Sequence, residues 1–168
     1  MNVLNLLKVR KAVCEDAEQI AAIYNLYVDQ GGATFDTVHQ TRGVIAGRIG
    51  AEPPEGWYVA ETNGRISGWA CARRYSERQG FRLTCETAIY VLPSELGKGI
   101  AGRLQIVIDE HCTEHHLHHA VARIIADNQR SLAFHYRHGY ELVGIQKEIG
   151  WMDNAWVDLA ILQKIYRP

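Results

Sequence analysis

"ETAIYVLPSELGKGIAGRL", residues Glu86–Leu104, separates two fold classes. Inside it, Gly97-Lys98-Gly99-Ile100-Ala101-Gly102 has the form G-x-G-x-x-G, the spacing of a dinucleotide-binding turn. Such a turn puts its first glycine directly at the end of the first strand of a βαβ unit. Here Pro93-Ser94-Glu95-Leu96 separate Gly97 from the apolar run ending at Val91, and too little chain follows Gly102 to complete a doubly wound sheet. The G-x-x-x-x-G-K-[ST] loop of nucleoside triphosphatases is also absent. What remains is a strand passing through a glycine turn into a helix. Backbone N–H groups gathered by such a turn, together with the helix dipole, suit an anion such as a pyrophosphate.

Outward from that turn, the chain alternates between strand and helix signals. "LLKVRKAV", from Leu6, predicts a first strand. Ile20, Ile23, Tyr24, Tyr27 and Val28 recur at three-four spacing after Asp16 and stop at Gly31-Gly32, which predicts a helix. A short helix is expected over Thr41–Arg48, and Pro53-Pro54 then breaks the chain. Asn63-Gly64 between two apolar runs predicts a type I′ hairpin. "RLTCETAIYV" is a further strand leading into the glycine turn, and Leu104, Val107 and Ile108 make a helical stripe after it. "HAVARIIAD" reads as a buried strand and "QRSLAFHYRHG" as a helix with Gly139 just past its end. "YELVGIQKEI" and "AWVDLAILQKI" close the chain as strands. The order β-α-α-β-β-β-α-β-α-β-β has three consecutive central strands, so the expected class is α/β with a mixed sheet.

The 168 residues fit one domain, residues 1–168, with 47% apolar and 22% charged residues. A formal charge of −1 gives no global field for nucleic acid or an anionic membrane. No apolar run approaches a membrane span, and the start lacks a signal-peptide pattern. Cys14, Cys71, Cys85 and Cys112 are scattered, which predicts reduced thiols in the cytoplasm.

The loop "LGKGIA", Leu96–Ala101, resembles the acetyl-CoA loop [Q/R]-x-x-G-x-[G/A] of the GNAT superfamily of N-acetyltransferases, and "NQRSLAFHYRHGY" resembles its second signature helix. "IYNLYVDQGGATFDT", "FRLTCETAIYVLP", "NQRSLAFHYRHGYELVG" and "WVDLAILQK" together resemble its phosphinothricin acetyltransferase-like branch, whose enzymes acetylate phosphinothricin, methionine sulfone or methionine sulfoximine. The resemblance implies a mixed sheet of about seven strands with helices on both faces, and acetyl-CoA as co-substrate without a metal. It also implies a small amino-acid-like amine as acceptor and a homodimer. It assigns backbone groups of Ile89, Tyr90 and Val91 to the pantetheine arm, and Gly97, Lys98, Gly99, Ile100, Ala101 and Gly102 to the pyrophosphate. Asn128 and Ser131 would serve the pantetheine or acetyl region; Asn128 also suits a helix N-cap. Two departures stand out. Leu96 occupies the usual Arg or Gln position, and Tyr75-Ser76-Glu77-Arg78 replaces an "FRPR"-like segment.

By the same resemblance Glu86 is the catalytic carboxylate, the alternative being a structural ion pair with a nearby arginine. His135, four residues before Gly139, is the second catalytic candidate, as thiolate donor or as base, with Tyr136 as a fallback donor. Arg78 and Arg82 are the expected clamps for a substrate carboxylate, with Phe35 as an apolar wall. His115 and His119 have the i, i+4 spacing of ligands on one helix, but the run "EHHLHH" crosses a helix end into a strand, so a solvated histidine run is expected. Trp151, Trp156 and Asp158 are assigned to the last strands or a subunit contact. The rival functions are the same fold acetylating a peptide N-terminus, polyamine or aminoglycoside, or a non-catalytic acetyl-CoA-binding module.

Overall fold

The computed structural model describes residues 7–167. The expected first strand begins at Leu6, which lies outside them. The elements are β1 (Lys8–Lys11), α1 (Ala17–Gln30), α2 (Arg42–Ala46), β2 (Gly56–Thr62), β3 (Arg65–Arg74), β4 (Thr84–Val91), α3 (Ile100–Glu114), β5 (His119–Ile125), α4 (Gln129–Arg137), β6 (Glu141–Met152) and β7 (Ala155–Ile165). Their order is the one the sequence predicts.

The strands form one seven-stranded sheet in the order β1-β2-β3-β4-β5-β7-β6. All neighbours are antiparallel except β4 and β5. Helices cover both faces, as expected. Residues of β3 alternate between them. Trp69 and Cys71 pack with Ile20, Ile23 and Tyr27 of α1; Ala70 and Ala72 pack with Leu104 and Ile108 of α3. Before α1, the buried Asp16 carboxylate accepts two bonds from the Arg10 guanidinium, at 2.7 and 2.9 Å. That guanidinium holds Asp16 below the usual carboxylate range.

The turn at Asn63-Gly64 has positive φ at both residues, 52° and 75°, as a type I′ hairpin requires. A second such turn, Asp153-Asn154, joins β6 to β7 and carries β6 three residues beyond its expected end. Between Gln146 and Gly150, β6 bulges. Asp158 holds the bulge through Lys147 Nζ and the Glu148 N–H, each at 2.7 Å.

The feature that makes a site is a failure of pairing. β3 and β4 pair along β4 from Arg74↔Cys85 to Gly68↔Val91, all of the strand but its first residue. β4 and β5 pair only from Thr84↔His119 to Glu86↔Val121. Beyond Glu86 the two parallel strands part. One edge of β4 is left without a strand partner, and the sheet opens from one face to the other.

Candidate active site

A cleft of about 990 Å³ fills that opening. Thr87–Val91 of β4 form one wall and Ala122–Ile125 of β5 the other. The glycine turn and the start of α3 close one end, α4 flanks it, and Tyr24, Phe35, Arg73 and β6 residues 149–152 shape the rest.

The glycine turn behaves as its chemistry suggests. Gly97 and Gly99 have φ of 80° and 79°, a left-handed conformation open to glycine at no steric cost. A Cβ built on either would meet nothing within 4 Å. Gly99 caps α3, and the first intrahelical bond runs from the Arg103 N–H to the Gly99 carbonyl. The N–H groups of Ile100, Ala101 and Gly102 therefore have no intrahelical acceptor. No side chain caps this end. The result is an N–H-lined hollow at the positive end of a fifteen-residue helix. A Cβ on Gly102 would stand 3.8 Å from the His138 ring, so the last turn of α4 lies beside the hollow, and Arg137 there lines the cleft. These groups fit a pyrophosphate, and the unpaired edge of β4 fits an amide-bearing arm. One predicted contributor differs. Lys98 does not line the cleft; its ammonium pairs with Glu95 at 3.0 Å. Leu96 packs its side chain against the core, although it also borders the cleft.

On α4, Asn128 Oδ1 accepts from the Ser131 N–H at 3.1 Å, which makes it the N-cap, and both residues line the cleft. His135 is buried in the last turn. Its Nδ1 lies 2.8 Å from the Ser131 carbonyl oxygen. That oxygen can only accept, so Nδ1 carries the proton, and in the neutral ring Nε2 carries the lone pair. Burial lowers the pKa of the imidazole, while its bond to Ser131 partly opposes this. Tyr136 is exposed and lies outside the cleft lining, because α4 turns it to the outer side.

Glu86 lies on the α1 side of the sheet. Arg73 is its direct neighbour on β3, and Arg73 Nη2 donates to Oε1 at 3.3 Å. Arg123 stands two residues past Glu86's partner Val121 on β5, hence on the same face, and Arg123 Nη2 donates to Oε2 at 2.8 Å. The carboxylate thus bridges two arginines at the mouth of the split. Glu86 is therefore ion-paired, the structural alternative of the sequence reading, and it also lines the cleft.

Arg78 and Arg82 do not join this site. Both are exposed and absent from the cleft lining, because a 3₁₀ turn over Gln79–Phe81 carries them along the β3–β4 loop. The sequence reading passed over Arg73 and Arg123. The signal was present in the alternation Trp69, Cys71, Arg73, which puts a guanidinium on an otherwise apolar face. Phe35 does line the cleft. Its ring lies so close to Gly150 that a Cβ there would come within 2.4 Å of Phe35 Cε1. Ile149, Gly150, Trp151 and Met152 of β6 also reach the cleft. That gives Trp151 a place the sequence had assigned only to the last strands or a subunit contact. His115 caps the end of α3 while His119 opens β5, so the two are not ligands on one helix. Among the described residues, no group of three or more His, Cys, Asp or Glu side chains is arranged to hold a metal.

Comparison with known proteins gives the arrangement its family. The Acetyltransferase (GNAT) family profile matches residues 16–140. A phosphinothricin N-acetyltransferase of Streptomyces coelicolor is 30% identical, covering 90% of this chain and 95% of its own. An L-methionine sulfoximine/L-methionine sulfone acetyltransferase of Pseudomonas paraeruginosa is also 30% identical, covering 92% of both chains. The crystal structure of a GNAT superfamily phosphinothricin acetyltransferase from Sinorhizobium meliloti, in complex with acetyl-CoA, superposes with a TM-score of 0.88 at 29% identity, over 95% of this chain and 88% of that one. The parted strands and glycine hollow are thus set in a frame shared with these proteins along nearly its whole length, and the chain belongs to the acetyltransferase (GNAT) family.

Proposed function

We propose that this chain is one acetyl-CoA-dependent N-acetyltransferase domain acting on the amine of a small amino-acid-like acceptor of the phosphinothricin or methionine sulfone type. The observation that carries the reading is the split between β4 and β5, which connects the glycine hollow on one face with Glu86 and its arginines on the other. A cofactor and an acceptor approaching from opposite faces would meet in it.

Acetyl-CoA, when bound, supplies an acetyl thioester. The N–H groups of Gly97–Gly102 would hold its pyrophosphate, with Arg137 and Arg130 nearby, and the edge of Ile89, Tyr90 and Val91 would take the pantetheine arm. Val91 contributes less than expected, because its carbonyl already accepts from the Tyr27 hydroxyl. Asn128 and Ser131 flank the acetyl end. The acceptor amine is mostly ammonium at neutral pH and must lose a proton before it can attack. Two groups on the cleft wall can receive that proton, Glu86 and His135. Each Glu86 oxygen already accepts an arginine N–H. His135 Nε2 has a free lone pair on a ring that burial keeps neutral, which favours His135 as acceptor and Glu86 as the anion facing the ammonium.

The same reading includes a homodimer in the cytoplasm. Leu142, Val143 and Ile145 stand exposed along the edge strand β6, an apolar row that a second copy would cover. Cys85 and Cys112 lie 3.8 Å apart as free thiols. No helix among the described residues is long and apolar enough to cross a membrane.

A thiol-release assay with acetyl-CoA tests the function. L-Methionine sulfone and L-phosphinothricin should release CoA thiol well above the buffer rate; a polyamine, an aminoglycoside and an alanine-ended peptide should not. Release only with the latter group would replace the acceptor class. Tight acetyl-CoA binding with no release for any amine would favour the non-catalytic module.

A further inference from the structure

The expected carboxylate clamps, Arg78 and Arg82, lie away from the cleft. If the acceptor is an amino acid, as proposed above, something else must take its carboxylate. We propose that Arg73 and Arg123, joined through Glu86 across the mouth of the β4–β5 split, form the carboxylate-binding site of the acceptor.

The argument begins with register. Arg73 faces Glu86 directly across β3 and β4, and Arg123 lies diagonally across the last β4–β5 pair. All three side chains are forced onto the α1 face at the one point where the sheet opens. A guanidinium carries five N–H donors, and Glu86 takes one from each. Arg73 Nε is buried and has no acceptor. The Arg73 side chain is 34% exposed and Arg123 46%, so donors remain open to the cleft, while Glu86 is only 18% exposed. Two guanidinium groups against one carboxylate leave a net positive charge there. An incoming carboxylate is drawn to it and can be gripped in the fork geometry that arginine offers and lysine does not.

The other arginines of the cleft, Arg130 and Arg137, stand on α4 and not at the mouth of the split. Arg137 lies beside the glycine hollow, with the phosphates. Arg130 sits on the first turn of α4, and the Asp36 carboxylate on the far wall already accepts from the Tyr24 hydroxyl. Phe35, packed on Gly150, and Met152 give the acceptor's side chain an apolar surface. The arrangement also explains why Glu86 is bridged and not free. It fixes both guanidinium groups, and it puts a negative charge next to where the acceptor's ammonium would lie. An amino acid presents the complementary pair of charges.

The test compares two acceptors differing only by the carboxylate, L-methionine sulfone and its decarboxylated amine, on wild type, Arg73→Gln, Arg123→Gln and Arg78→Gln. Each variant leaves Glu86 with at least one arginine. Calorimetry of L-methionine sulfone binding to the CoA-loaded protein is run beside turnover. Arg73→Gln and Arg123→Gln should each weaken amino-acid binding and raise its KM at least tenfold, while KM for the decarboxylated amine changes less than threefold. The acetyl-CoA dissociation constant should stay the same. The proposal is overturned if both acceptors lose equally, if Arg78→Gln shows the carboxylate-dependent loss instead, or if wild type does not bind the amino acid. Failure of the acetyltransfer reading looks different: the amino acid binds through Arg73 and Arg123, yet no thiol is released.

Discussion

Replacing Gly99 with valine puts the glycine hollow to a quantitative test. Gly99 has φ of 79° and caps α3. An L-residue forced into that conformation costs about 1–2 kcal/mol, and a β-branched residue belongs at the upper end. No protein atom lies within 4 Å of the new Cβ, so no clash adds to this. For a chain of this size the cost lowers Tm by roughly 2 to 8 °C. The side chain occupies the space where backbone N–H groups would meet the pyrophosphate, and acetyl-CoA affinity should fall at least tenfold, about 1.4 kcal/mol. Gly99→Asn separates the two effects, since asparagine tolerates left-handed backbone better. It should melt near wild type and still bind weakly. Calorimetry with acetyl-CoA and thermal unfolding on all three proteins read both quantities. Folded variants that bind acetyl-CoA as wild type does would refute the cradle.

Two further predictions concern the proton and the acceptor pocket. If His135 accepts the proton, kcat should hold down to pH about 6.5 and fall only below it, because burial depresses its pKa from that ordinary value and the neutral ring is the active form; His135→Ala should lose roughly 10²- to 10⁴-fold, whereas activity that declines as pH rises through that range would make the imidazolium the working form. The same depressed pKa makes the native protein resist protonation more than the unfolded chain, so His135 removes stability as pH drops below about 6.5, together with the similarly depressed His111. Gly150→Ala should displace the Phe35 ring, which a Cβ would approach to 2.4 Å, raising KM for the acceptor while leaving acetyl-CoA affinity unchanged; an equal loss in both would show that β6 supports the whole cleft.

Short-range chemistry was legible in the sequence. Three-four periodicity gave α1 and α3, Asn63-Gly64 gave its hairpin, and the glycines of residues 97–102 gave a strand-to-helix turn with free N–H groups, because each depends on residues within one or two turns of chain. The second hairpin was harder, since Asp153-Asn154 lacks the glycine that marks such turns. His135 could be named through the family resemblance, at the position four residues before Gly139, but its tautomer follows from the position of the Ser131 carbonyl on a formed helix. Register was out of reach. Arg73 and Glu86 are thirteen residues apart along the chain, and Arg123 another thirty-seven; only strand pairing makes them neighbours. Periodicity fixes which residues share a face, not where two strands stop pairing. Where β4 parts from β5, after Glu86, is set by a balance of long-range packing and not by a local pattern in either strand. That balance decided which arginines meet the cleft, sent Arg78 and Arg82 outside it, and brought Phe35 against Gly150.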